Sequence, residues 1–280
     1  MRKVRRSRRK RWFEAPCVIF SRPVWFVLLM FCCSTFILSA TMLIWGYTQG
    51  EKEEASLKEL AAVVADSIVS PAPVVTIPSG MSEPLPTSQE PVLLEQYRAL
   101  YEQNADIVGW IKIDGTEIDY PVMYTGDDFY LSHDFDKAES KSGVPFIDKR
   151  CIVEPFGTNT IIYGHHMKKG TMFAGLEGYE DEGFYKKQPT IRFDTLYEQQ
   201  EYDIIAVFKS QIYRKSNTVF KHYNFLNSES WAEFDDYIAN IKALSLYDTG
   251  VTAEYGDELI TLSTCAYHTV NGQFVVVAKK

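Results

Sequence analysis

Hydrophobic and polar positions divide the chain into three textures. Residues 24–47 carry no charge, and a helix rising about 1.5 Å per residue needs only some 20 of them to cross a bilayer core about 30 Å thick. The run closes on Leu43, Ile44, Trp45 and Tyr47, without the small-x-small site of a cleaved signal peptide, so it reads as a retained membrane anchor. From Glu51 a short Glu/Lys/Ala stretch able to extend that helix gives way to Pro71, Pro73, Pro78, Pro84, Pro86 and Pro91 among Ser and Thr. Prolines at this density favour an extended chain with little to pack, and residues 48–91 read as a stalk.

Residues 92–280 form a domain-sized third part. It opens on a helical pattern, with Leu93, Tyr97, Leu100 and Tyr101 at helical spacing and an end near Asn104. The texture then becomes mostly β. Residues 110–118 alternate around an Asp114-Gly115 turn, and 160–163, 201–208, 259–264 and 274–278 read as strands. One helix interrupts them from about Ser228, placing Trp231, Phe234, Ile238, Ile241 and Leu244 on one face that can pack outside a sheet. The domain ends with its last strand, and no internal repeat is visible.

With 46% hydrophobic and 24% charged residues, the composition excludes a collagen-like, disordered or disulfide-dense chain. A net charge of −8 argues against nucleic acid as a partner, but it averages two unlike ends. Residues 1–23 hold nine basic residues against Glu14, which leaves 20 basic and 36 acidic residues, a net of −16, for positions 24–280. A basic segment beside an apolar span sets topology, so residues 1–23 are expected in the cytoplasm and everything after Gly50 outside the cell.

Of five cysteines, Cys17 is expected in the cytosol or at the membrane edge and Cys32 and Cys33 in the span, so Cys151 and Cys265 alone face outward. Such a pair is a disulfide candidate. Their settings differ, however. Cys265 closes Thr261-Leu262-Ser263-Thr264-Cys265 at the exit of an apolar strand, where a scaffold can hold a side chain at a pocket mouth, whereas Cys151 sits in a charged loop with Lys149, Arg150 and Glu154. A nucleophilic cysteine needs a proton-transfer partner, usually histidine, and the chain offers His133, His165, His166, His222 and His268. His165 follows Ile161-Ile162-Tyr163-Gly164, so it too leaves the end of a strand. A metal site from Cys265, His268, His165 and His166 has only a Cys-x-x-His spacing in its favour, and neither metal nor cofactor is expected. Most of the aromatic residues, 14% of the chain, alternate along strands and read as core.

The segments Thr261-Leu262-Ser263-Thr264-Cys265 and Asn159-Thr160-Ile161-Ile162-Tyr163-Gly164-His165-His166-Met167 resemble the two catalytic motifs of sortases in the form typical of class B. Further similarity lies in Val108-Gly109-Trp110-Ile111, Ile118-Asp119-Tyr120-Pro121-Val122, Tyr130-Leu131-Ser132-His133-Asp134-Phe135, Ser245-Leu246-Tyr247-Asp248-Thr249-Gly250 and Val275-Val276-Val277-Ala278-Lys279, in family order across nearly the whole outer domain.

The resemblance implies an eight-stranded β-barrel with peripheral helices, preceded by one transmembrane helix, on the outer face of a Gram-positive cell. It implies a cysteine transpeptidase (thiol endopeptidase): Cys265 attacks the carboxyl-terminal sorting signal of a secreted protein, for which an Asn-Pro-x-Thr core is the test peptide. His165 protonates the leaving amine. The thioester then passes to a peptidoglycan stem or cross-bridge amine, or to a pilin lysine. Ser263, Thr264 and Ala266 are expected to touch substrate, and the helix-bearing connection between residues 208 and 259 resembles the substrate loop of class B. One position departs from the pattern: Gln273 stands where sortases carry an arginine. A noncatalytic or weakened protein that binds sorting signals is therefore the alternative, and Arg150, Arg192 and Arg214 are the arginines able to substitute in three dimensions.

Overall fold

The computed structural model describes residues 22–69, 91–266 and 269–280. Residues 1–21 of the basic segment, the proline-bearing residues 70–90, and His268 lie outside the described residues. Residues 1–49 and 50–280 form two compact units. In the first, helix α1 (Arg22–Val69) begins. It is the one helix among the described residues long and apolar enough to cross a membrane, and Trp25, Phe36 and Trp45 expose their side chains as a lipid-facing surface would.

In the second unit, α1 continues from Gly50 to Val69, so the first half of the segment read as stalk is helical. Leu57, Leu60 and Val64 recur at i, i+3, i+7 and are buried in the main core. Helix α2 (Glu95–Gln103) buries Tyr97 and Leu100 and ends at Asn104, as the periodicity indicates, while Tyr101 stays exposed.

Eight strands follow: β1 (Ile107–Lys112), β2 (Asp119–Met123), β3 (Phe146–Ile147), β4 (Asn159–Tyr163), β5 (Thr190–Thr195), β6 (Glu201–Gln211), β7 (Leu259–Cys265) and β8 (Gly272–Lys279). A four-residue helix α3 (Glu182–Tyr185) precedes β5, and α4 (Trp231–Leu244) lies between β6 and β7. The strands close into a barrel in the order β1-β2-β3-β4-β7-β8-β6-β5, as the family resemblance implies. Closure leaves no unpaired sheet edge.

Alternation sorts the side chains of β7 and β8 into two layers. Ile260, Leu262, Phe274, Val276 and Ala278 fill the interior, while Leu259, Val275 and Val277 face outward under α4. The α4 helix is capped by the Ser230 hydroxyl, which accepts the Glu233 N–H at 3.3 Å. Its buried residues are Phe234, Tyr237, Ile238 and Ile241; Trp231 and Leu244, expected on that face, are exposed because the helix ends overhang the sheet.

Candidate active site

Parallel strands β4 and β7 pair in register from Asn159 with Leu259 to Tyr163 with Ser263. The Gly164 N–H donates to the Ser263 carbonyl at 3.2 Å, carrying the ladder one step further. His165 and Cys265 therefore leave neighbouring strands at the same level. On the other side of β7, Cys265 lies opposite Gln273 of β8, and Gln273 lies opposite Ser210 of β6. The Ala266 N–H donates to the Gly272 carbonyl at 2.8 Å, which makes Cys265 and Gln273 a non-hydrogen-bonded pair, the kind whose side chains approach most closely. His165, Cys265, Gln273 and Ser210 thus stand in one line across β4, β7, β8 and β6.

Gly164 is required by packing. A Cβ there would come within 2.6 Å of the Phe173 ring, which presses on the strand end just before His165. The His165 Nε2 lies 2.8 Å from the Leu131 carbonyl. A carbonyl only accepts, so Nε2 carries the hydrogen and Nδ1 is the nitrogen left for the site. His166 turns the other way, bridging to Met172, with Nε2 3.0 Å from Glu177 Oε1. His133 stacks on Phe129 with ring centroids 3.8 Å apart and bonds the Phe129 carbonyl through Nδ1 at 2.8 Å.

Cys151 and Cys265 are both free thiols, so the disulfide alternative is not realised. Cys265 is exposed. Cys151 is 5% exposed and lies beside the start of β4, where its sulfur accepts the Ile161 N–H at 3.4 Å and donates to the Asn159 carbonyl at 3.7 Å. Burial pushes its thiol up to about 11, which suppresses the nucleophilic thiolate.

Residues 111–280 match the family model of the sortase domain. The chain belongs to the sortase family, class B. It is 37% identical over 172 residues to sortase B of Listeria monocytogenes, covering 61% of this chain and 67% of that protein. Sortase B of Staphylococcus aureus is 35% identical over 188 residues, 66% of this chain and 74% of the relative. The solved structure of a Staphylococcus aureus sortase B–substrate complex superposes with a TM-score of 0.67 at 27% identity, covering 83% of this chain and 97% of that one. As a class B sortase the protein is a cysteine transpeptidase.

In this sortase Gln273 is 8% exposed, and its Oε1 is buried without a hydrogen-bond partner among the described residues. None of the three arginines that sequence offers as substitutes is seen bonded to it. Arg150 is held by Asp148 at 2.6 Å and by the Tyr223 carbonyl, beside the start of β4. Arg192 pairs in register with Glu201, at the opposite end of β6 from Ser210. Arg214 follows β6 at the same end of the barrel as Gln273.

Ser263 shares the outward face with Cys265, and its Oγ is buried without a partner among the described residues. Thr264 alternates to the interior beside Phe274, and the backbone N–H of Ala266 is committed to Gly272. Two participants escape a sequence reading: the Leu131 carbonyl, because any residue type supplies one, and Ser210, because only the β6–β8 register reveals it.

His222, 1% exposed, packs edge-on to Phe208 and Tyr223 at 5.5 and 5.2 Å, with neither ring nitrogen hydrogen-bonded among the described residues. Burial alone pushes it down to about 4. An exposed histidine titrates near 6.5, so the unfolded chain binds the proton first as pH falls. The contribution of His222 to stability is complete above about pH 6.5 and declines toward pH 4, by about 2 kcal/mol at pH 5. His222→Phe should shrink the difference in Tm between pH 7 and pH 5 in a thermal melt. An unchanged difference would assign the acid sensitivity to other groups.

Proposed function

We propose that this sortase is anchored by residues 24–47 with its amino terminus in the cytoplasm and its barrel on the outer face of a Gram-positive cell. There it joins secreted proteins bearing a carboxyl-terminal sorting signal to an amine of peptidoglycan or a pilin. The observation that carries the chemistry is the line of His165, Cys265 and Gln273 across three adjacent strands. The Cys265 thiol gives its proton to His165 Nδ1 as the sulfur attacks the scissile carbonyl, and the C–N bond breaks as His165 passes that proton to the leaving nitrogen. The thioester is then attacked by the acceptor amine, whose proton passes through His165 to the departing sulfur as the new amide forms. Gln273 offers an amide N–H to the developing oxyanion.

Gln273 also favours a second reading, a protein that binds sorting signals with weak or absent turnover, because a neutral amide replaces a charged, two-pronged donor. Charge-assisted hydrogen bonds are roughly twice as strong as neutral ones. Gln273→Arg should therefore accelerate acylation of Cys265 roughly tenfold, or about 1.4 kcal/mol in the barrier. Binding should change less, since the ground-state carbonyl needs the donor less than the tetrahedral intermediate does. Incubation with an Asn-Pro-x-Thr peptide, followed by intact-mass detection of the thioester, tests both readings. An adduct on the wild-type protein that is lost with Cys265 supports the transpeptidase. An adduct confined to the Gln273→Arg variant supports the binding protein.

A further inference from the structure

From residue 204 to residue 228 the chain carries no Asp or Glu, in a protein whose residues beyond the amino-terminal segment sum to −16. The same stretch holds Lys209, Arg214, Lys215 and Lys221. Lys209 is neutralised by Glu180 at 2.7 Å. Arg214, Lys215 and Lys221 have no carboxylate partner among the described residues; Lys221 Nζ instead donates to the Lys215 carbonyl at 3.3 Å, drawing the cations together. Ile212 and Val219 from this segment, and Val270 before β8, are large apolar residues left exposed beside them. The patch is therefore both cationic and apolar, with no internal partner for either property.

Its place in the fold gives it a direction. The Ile212 N–H donates to the Asn271 carbonyl at 2.9 Å, so the segment starts where β6 and β8 finish pairing, just beyond Ser210 and Gln273. Cys265 lies between His165 on one side and Gln273 on the other. If His165 serves the leaving nitrogen, the leaving portion of the substrate lies toward β4, and the acyl portion extends over β8 toward β6 and this patch. We infer that Arg214, Lys215 and Lys221 form a recognition surface for acidic residues on the amino-terminal side of the scissile bond, with Ile212, Val219 and Val270 receiving apolar side chains between them. The inference rests on the roles proposed for Cys265 and His165. Since the acyl portion stays on the enzyme as the thioester, the patch holds the substrate through both half-reactions.

The test uses the full chain in uncharged detergent and quenched peptides sharing an Asn-Pro-x-Thr core, with three Asp or three Lys placed before the core, or three Asp placed after it. Binding is read by fluorescence anisotropy on the Cys265→Ala variant and turnover as KM and kcat on the wild type. Exposed ion pairs are individually weak, so three of them should favour the leading-Asp over the leading-Lys peptide roughly tenfold, mainly in KM. The ratio should collapse as salt approaches about 1 M, where screening acts within about 3 Å. A triple variant with Arg214→Glu, Lys215→Glu and Lys221→Glu should invert the preference, which a merely structural role for these residues would not do. Equal binding of the leading-Asp and leading-Lys peptides, the same preference in the triple variant, or a larger effect from Asp placed after the core would each overturn the inference. So would binding of polyphosphate without discrimination among the peptides, which would assign the patch to a phosphate-bearing partner. Absence of a thioester while the anisotropy ratio persists would count against the role of Cys265 and not against the patch.

Discussion

Cys265→Ala should abolish cleavage of the fluorogenic Asn-Pro-x-Thr peptide, while Cys151→Ala should leave most of it. Covalent catalysis has no substitute for the attacking sulfur, so the first loss should reach the detection limit of the assay. The two thiols differ in the properties a nucleophile needs. Cys265 is exposed at a strand end level with His165, whereas Cys151 is buried against the β4 backbone and its thiolate is disfavoured by burial. Cys151→Ala removes a small buried sulfur and its two weak hydrogen bonds, a packing loss that a melt would register as about 1 kcal/mol. Equal loss of activity in the two variants, with both still folded, would refute the assignment of Cys265.

His165→Ala should lower turnover of the same peptide by roughly a hundredfold or more, the usual span for removing a general acid–base group. His166→Ala should only reduce it. His165 follows β4 at the level of Cys265, with Nε2 fixed on the Leu131 carbonyl and Nδ1 available, while His166 turns to Met172 and Glu177. The pH profile adds a second readout. Loss of His165 should change the shape of the kcat/KM profile, whereas loss of His166 should scale it down. The reverse ranking would move the proton-transfer role to His166.

Much of this arrangement is legible in the sequence because the site sits on its most regular elements. β7 and β8 announce themselves by dense β-branched residues, and the apolar stripe announces α4, which begins at Trp231 rather than about Ser228. The line of side chains depends on pairings that no local pattern contains: β4 with β7 and β8 with β6 join segments distant in the chain. β3 is two residues long, too short for any periodicity, yet it links β2 to β4. The buried stripe of Leu57, Leu60 and Val64 hides in a Glu-rich, Lys-rich composition that reads as solvated. Within α4 the centre of the packed face is Tyr237, whose hydroxyl lies 3.5 Å from Thr261 Oγ1, a contact that tolerates a polar tip on an apolar face.

The in-register pairing of Asn159–Tyr163 with Leu259–Ser263 also bears on when the enzyme becomes active. The imidazole and the sulfur come from segments a hundred positions apart, and the strand that carries the sulfur is synthesised after the one that carries the imidazole. Pairings of such long range are entropically costly and form slowly. Until the two strands pair, the thiol therefore has no imidazole at its side. Assembly of the barrel and assembly of the catalytic pair are one event, so the polypeptide acquires its transferase chemistry only on reaching its folded state.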